Sequence, residues 1–241
     1  ASMFSQEEIK WSPPIISIDS CLFTDSARIE LFFGDSDAKI MFSLNKNTPV
    51  LYKSPVFVSE TSKMEAFVMG GAFLESDHVS EMLVKNGIQL DNVVRKTEPS
   101  EKYPESNGEI TNRVGASKSY TDPQWVGYDS DSIVFEFTSN QGIEEIGLVL
   151  LRDYNAWILP PALVKIAMRF EDGTRSSSTR YVMAYADQKI TYPKKEFRLL
   201  EIDKARGKVE YTVTIYTDTL PESHPGSGKK AWVFIDELIV K

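Results

Sequence analysis

The stretch Ser223 to Lys241, SHPGSGKKAWVFIDELIVK, gathers the side chains best suited to chemistry. A Gly/Pro-rich loop carrying His224 and two lysines runs into a strand that begins at Trp232. Two-residue alternation places Trp232, Phe234 and Asp236 on one face and Val233, Ile235 and Glu237 on the other. An aromatic and a histidine beside a Gly-rich loop at a sheet edge suit recognition of a polyhydroxylated ligand better than bond-breaking. An indole stacks on the C–H face of a pyranose while a few convergent polar groups orient its hydroxyls. Trp125, Tyr128, Trp157, His224 and Trp232 are the candidates, with Arg152, Asp153, Asn155 and Lys230 as polar helpers. Tryptophans in β-sandwiches more often pack a core or cover a sheet end, and for Trp125 and Trp232 that reading leads. Trp157 lies on a loop before Ile158-Leu159-Pro160-Pro161 and is evenly balanced between the two roles.

Other chemistries fit poorly. Glycoside hydrolysis needs two carboxyl groups facing each other across a cleft, about 5–10 Å apart. The neighbours Glu144-Glu145 and Asp236-Glu237 point to opposite faces if they lie on strands. Asp129 and Asp131 flank Ser130 in a turn and read as solvated. His78 and His224 are the only histidines, and no nucleophile-elbow motif accompanies them. Two isolated histidines and one cysteine give no zinc spacing. Gly226-Ser227-Gly228-Lys229 lacks the Walker length and precedes a strand rather than a helix, which excludes a phosphate loop. No catalytic residue is assigned.

The net charge of -8 over 241 residues disfavours grip on a phosphate backbone, so nucleic acid is not an expected partner. Cys21 is the single cysteine, which excludes an intramolecular disulfide; its setting in Ser-Cys-Leu-Phe reads as a buried small hydrophobe. No apolar run is long enough to span a bilayer, and no secretion signal is visible.

The elements that would hold these groups are all strand-like. The length favours two domains. Ile15–Ile18, Arg28–Phe33, Lys39–Leu44, Val56–Val58, Met64–Val68 and Val79–Val84 are short runs divided by turn chemistry, which predicts a small β-sandwich. Residues 86–124 are polar and turn-rich, apart from a strand expected over Ile88–Val94; they form the junction and wrap the second unit. Strands resume at Ser132–Phe137, Glu145–Leu151, Leu163–Arg169, Thr179–Ala184, Glu196–Leu200, Val209–Tyr216 and Ala231–Val240. Leu148-Val149-Leu150-Leu151 is continuously apolar, as in a strand covered on both faces.

Two resemblances follow from these segments. Phe42-Ser43-Leu44-Asn45-Lys46-Asn47-Thr48-Pro49, with Ala66 downstream, resembles the signature turn of the small C-terminal domain of chitobiases and β-hexosaminidases. Asn45 stands for the usual Asp of that turn, and Lys46 for the usual Gly. In the second half, Gln124-WVGYDSDSIVFEF, Arg152-DYNAWILPP and His224-PGSGKKAWVFIDEL resemble, in order, three motifs of the discoidin-like domains of the same enzymes. The implied fold is all-β: a small Ig/fibronectin-like β-sandwich over 13–87, then a galactose-binding-like jelly-roll β-sandwich over 88–241.

The implied function is that of a non-catalytic accessory pair, carbohydrate-binding, in a chitobiase/hexosaminidase-like glycan-degrading system that is secreted, periplasmic or on the cell surface. The alternative is a purely structural pair that braces a catalytic domain or a partner protein. Such folds often hold a structural calcium ion between an early loop, here Ile110 to Gly115, and a late acid, here Glu237. Asn112 in place of an Asp, and Arg113 in place of a Gly, weaken that site. The expectation is no ion or a weak one, with Glu237 turned toward Arg113.

Overall fold

The computed structural model describes residues 9–71, 73–90, 92–181, 193–202 and 207–241. It is an all-β protein; among the described residues there is no α-helix, only a 3-10 turn at Glu109–Thr111. The chain divides into two compact units, Ala1–Lys85 and Asn86–Lys241.

The first unit comprises β1 (Ile15–Ile18), β2 (Leu22–Phe23), β3 (Ala27–Phe32), β4 (Lys39–Leu44), β5 (Val50–Leu51), β6 (Val56–Val58), β7 (Ser62–Met69) and β8 (Val79–Lys85). A three-stranded sheet, β1-β3-β6, faces a five-stranded one, β2-β8-β7-β4-β5. β3 shows why: Ala27, Ile29 and Leu31 are buried while Arg28 and Phe32 are exposed, the period-2 pattern of a strand with one covered face. Those three side chains meet Met64, Ala66 and Leu83 of the opposite sheet. Cys21, expected to be buried, is half-buried, and its carbonyl accepts the Val84 N–H. His78 is clamped between Glu65 (2.7 Å) and Glu75 (2.9 Å) and stacked on Phe67, and the two carboxylates hold its pKa above the ordinary value.

The second unit comprises β9 (Val94–Arg95), β10 (Val126–Tyr128), β11 (Ser132–Ser139), β12 (Glu145–Arg152), β13 (Leu163–Phe170), β14 (Arg175–Tyr181), β15 (Lys194–Glu201), β16 (Val209–Tyr216) and β17 (Val233–Val240). Its two sheets run β14-β13-β16-β11-β9 and β10-β17-β12-β15. Between them lies one core, built from Ile133, Phe135, Ile166, Val213 and Ile215 on one side and Ile146, Leu148, Leu150, Val233 and Ile235 on the other. β11, β13 and β16 alternate buried and open positions. β17 is buried at every position because irregular chain covers its outer face.

The strand expected over Ile88–Val94 is not continuous. Ile88 makes an isolated bridge to Val240 and only Val94–Arg95 ladders, onto β11. In between, Leu90 and Val93 turn their side chains into the core. The strand expected at Thr179–Ala184 starts earlier, at Arg175, and residues 182–184 lie outside the described residues. The last strand begins at Val233, with Trp232 just before it as an isolated bridge to Ile158.

The turn after β4 has consequences for stability. Asn45 and Lys46 both have positive φ, 53° and 63°. Asn tolerates this region, whereas a lysine Cβ crowds the following carbonyl at a cost of about 1–2 kcal/mol. Asn45 is also anchored, since its side-chain oxygen accepts the Lys63 N–H at 2.9 Å. Lys46→Gly should therefore raise unfolding stability by about 1 kcal/mol, measured by urea denaturation. A neutral or negative change would show that the left-handed turn is not formed.

Candidate functional site

The geometry of the second unit's sheet end is set by a β-bulge. β12 pairs with β17 through Val149↔Glu237 and then Leu150↔Ile235, so Asp236 is the extra residue. The bulge resets the alternation: Val233 and Ile235 before it, and Leu238 and Val240 after it, all face the main core. Asp236 and Glu237, expected on opposite faces, consequently both serve the covering segment on the outer side. Asp236 accepts the Ala116 N–H through both carboxylate oxygens at 3.0 Å, and Glu237 accepts the Arg113 N–H at 3.1 and 3.2 Å. Lys195 adds an ion pair to Asp236 at 3.3 Å and donates to the Ala116 carbonyl at 2.5 Å. Burial, the largest effect, pushes the Asp236 carboxyl up to about 6 against the pull of Lys195, and the Glu237 carboxyl up to about 8.

These bonds hold the covering segment, and with it the aromatic groups, against the sheet. Trp125 is 1% exposed, its indole N–H donating to the Ser117 carbonyl at 3.0 Å with Lys195 over its ring. It packs with Ala116, Leu151, Ile158 and Phe234. Trp125 is a structural residue, which corrects its assignment as a ligand contact: no face of the indole is left for a ligand. Tyr128 is buried in the main core.

At the edge of this cluster a cavity of about 160 Å³ opens, lined by Lys102, Tyr103, Tyr120, Ala156, Ile158, Trp232 and Phe234. Tyr103 stands edge-on to Trp232 (5.5 Å, 83°) and to Phe234 (4.6 Å, 61°), and Trp232 stands edge-on to Phe234 (6.1 Å, 78°). Tyr103 is placed by the backbone: its N–H donates to Ser100, and its carbonyl accepts the Gly127 N–H at 3.0 Å. Gly127 is required here, because a Cβ would lie 2.8 Å from both Phe234 Cε1 and Tyr103 Cβ.

Trp157 belongs to a neighbouring arrangement. The tight loop between Asp153 and Ile158, closed by N–H···O bonds in both directions, forces Trp157 to φ 67°. Trp157 meets the His224 ring edge-on at 5.6 Å and lies beneath Lys229. Gly226 lets the indole rest on bare backbone, 3.0 Å from where a Cβ would be. His224 is 4% exposed, with Nε2 donating to the Tyr154 carbonyl at 2.8 Å and Nδ1 accepting the Gly226 N–H at 2.9 Å. Both ring nitrogens are engaged in the fold, so the expectation of His224 as a ligand contact is corrected to a loop clamp.

The polar helpers scatter. Arg152 pairs with Glu196 at 2.6 Å, Lys230 pairs with Asp131 at 2.5 Å, and Asp153 is buried, accepting the Ala156 N–H. Asn155 is exposed at the tip of its loop. Of the residues singled out in the sequence, Trp232 alone lines the cavity. Sequence reasoning missed Lys102, Tyr103, Tyr120, Ala156, Ile158 and Phe234. Phe234 had a signal, since alternation put it on the face of Trp232. Tyr103 was marked only as an aromatic in a polar, proline-flanked loop.

The donor set around Glu237 does not fit calcium. Asn112 spends its side-chain oxygen on the Val114 N–H (2.8 Å) and its amide on Gln124 (2.8 Å). Arg113, at φ 64°, sends its guanidinium to the Gly87 carbonyl at 2.7 Å and sets a fixed positive charge near Glu237. A hard divalent ion needs several converging oxygens and no competing cation. Among the described residues no group of three acidic, histidine or cysteine side chains converges for a metal.

No family model matches this sequence, and no curated protein matches it. Among solved structures it is similar to a SusE-like protein, at 12% identity over 93% of this chain and 95% of that one, with a TM-score of 0.36. It is similar to TmCBM61 in complex with β-1,4-galactotriose, at 14% identity over 62% and 86% of the chains, TM-score 0.27. It is also similar to the C-terminal domain of a chitobiase from Bacteroides fragilis, at 12% identity over 64% and 95%, TM-score 0.34. Likenesses this distant leave the functional argument to the geometry.

Two outcomes follow. In the unfolded chain the Asp236 and Glu237 carboxyls titrate near 3.8 and 4.5, and folding raises both. The folded state thus binds these protons more tightly, and their contribution to stability, complete below those values, is lost as pH rises toward about 8. Glu237→Gln should flatten that decline in urea midpoints; an unchanged slope would contradict the burial of this carboxylate. Gly127→Ala should cost about 1–3 kcal/mol and displace Tyr103 and Phe234, visible as altered aromatic resonances by NMR.

Proposed function

We propose that the second unit is a carbohydrate-binding module and that the chain works as a non-catalytic accessory pair in a glycan-degrading system outside the cytoplasm. One observation carries this reading: three aromatic rings set edge to face, at 61° to 83°, around a cavity sized for a single ring. Its volume lies below the range of about 300–1,000 Å³ usual for drug-sized ligands, which suits one pyranose better than a chain. The Trp232 indole, half-buried at the mouth, supplies the stacking surface. Of the described residues, those lining the cavity include no carboxylate, so the pair of acids that hydrolysis needs is absent from it. With so little surface buried, affinity should be modest, on the order of 1 mM.

A bracing role is favoured for the first unit by one feature. On the outer face of its three-stranded sheet, Ile15 and Phe32 are cross-strand partners 70% and 49% exposed, and Phe57 is 65% exposed. Apolar side chains grouped in this way fit a protein contact better than a sugar.

Trp232→Ala should weaken monosaccharide binding about tenfold or more in calorimetric titration. Tyr120→Ala, at an exposed position, should weaken it without moving the thermal midpoint. Failure of every neutral, amino and acidic monosaccharide to bind would defeat the reading, and turnover of a chromogenic hexosaminide would defeat its non-catalytic half.

A further inference from the structure

We infer that the aromatic cavity selects a pyranose carrying an anionic substituent, with Lys102 as the group that reads it; this rests on the saccharide reading above. Lys102 is the single charged residue of the lining, and it is a cation. Three other lysines of this unit have partners of their own: Lys195 pairs with Asp236, Lys230 with Asp131, and Lys229 stands over the Trp157 ring, outside the cavity. Among the described residues no carboxylate pairs with Lys102; its ammonium stands over the Tyr103 ring, 5.2 Å from the centroid. That ring fixes the charge at the cavity's rim without neutralising it.

The backbone reinforces the placement. The Tyr103 N–H donates to the Ser100 carbonyl and the Ser100 N–H to the Gly127 carbonyl, both at 2.9 Å. Lys102 therefore projects from a turn tied to β10 rather than from a free loop. A neutral sugar would leave this ammonium without a counter-charge, and a sugar with a free amine would set a second cation beside it. A carboxylate or sulfate on a ring seated against Trp232 would meet it directly. An ammonium is a point charge and does not itself separate carboxylate from sulfate, so the shared chemistry is the anionic substituent.

The test is calorimetric titration of the full chain with D-galacturonate, D-glucuronate and galactose 6-sulfate, each beside its neutral parent sugar. An acidic sugar should bind about fivefold or more tightly than its parent at low salt, and the advantage should shrink as ionic strength rises. Carboxylate and sulfate ligands tell the two sources of charge apart. Lys102→Gln, on an exposed turn, should remove the advantage while leaving the thermal midpoint unchanged. Equal binding of acidic and neutral sugars, or an advantage that survives Lys102→Gln, would overturn the role of Lys102 and leave the saccharide site standing. Absence of binding by every sugar would instead remove the site on which the inference rests.

Discussion

Two adjacent carboxylates at a bulge in the last strand hold the second unit's binding end together. Asp236 and Glu237 are almost completely buried, which is costly for charged groups, and each meets backbone N–H groups of the covering segment. Truncating either would strand a donor under the segment and leave a hole beside its partner. The bulge makes this possible by sending two consecutive side chains toward one layer while the core-facing residues on both sides keep their places. Lys195 completes the arrangement by bonding both the Asp236 carboxylate and the carbonyl of Ala116.

From that anchor the aromatic wall follows. Ala116, itself part of the covering segment, packs with Trp125; Phe234 sits two residues before Asp236, and Tyr103 closes over Gly127. The rings pack edge to face, an arrangement their quadrupoles favour, and this leaves an open angle between them instead of a filled stack. A cavity in a β-sandwich end is normally filled by a side chain. Here the ring edges leave room, and Trp232 is half-exposed where β17 has not yet begun.

Much of the scaffold was legible in the sequence because alternation is a local property. Val209–Tyr216 reads as a strand from its pattern alone, and β11 and β13 nearly so; their buried sides are the apolar ones. The site was much less legible. Trp125 and Trp232 are the same residue type in similar apolar settings, yet one lies under a covering segment and the other at a cavity mouth. That difference is decided by chain far away in sequence. The Asp236-Glu237 pair misled for a specific reason: a bulge is a property of two strands in register, and neither strand announces it. His224 was a candidate ligand contact beside Pro225 and Gly226, but Gly226 is what lets Trp157 and the imidazole close on each other.

The distribution of charge separates the two roles that residues play here. Where a charged group supports the fold, it is matched: Asp236 to Lys195, Arg152 to Glu196, Lys230 to Asp131. Matching fixes a group's direction and removes its appetite for a ligand, which is why Arg152 and Lys230, though polar and well placed in sequence, contribute to architecture. Lys102 departs from that pattern, being held over an aromatic ring at a cavity and matched by no acid among the described residues. An exposed lysine elsewhere would be ordinary solvated surface. At the rim of an aromatic cavity it changes which ligands bind, because an uncompensated charge favours any guest that brings its opposite and disfavours one that repeats it.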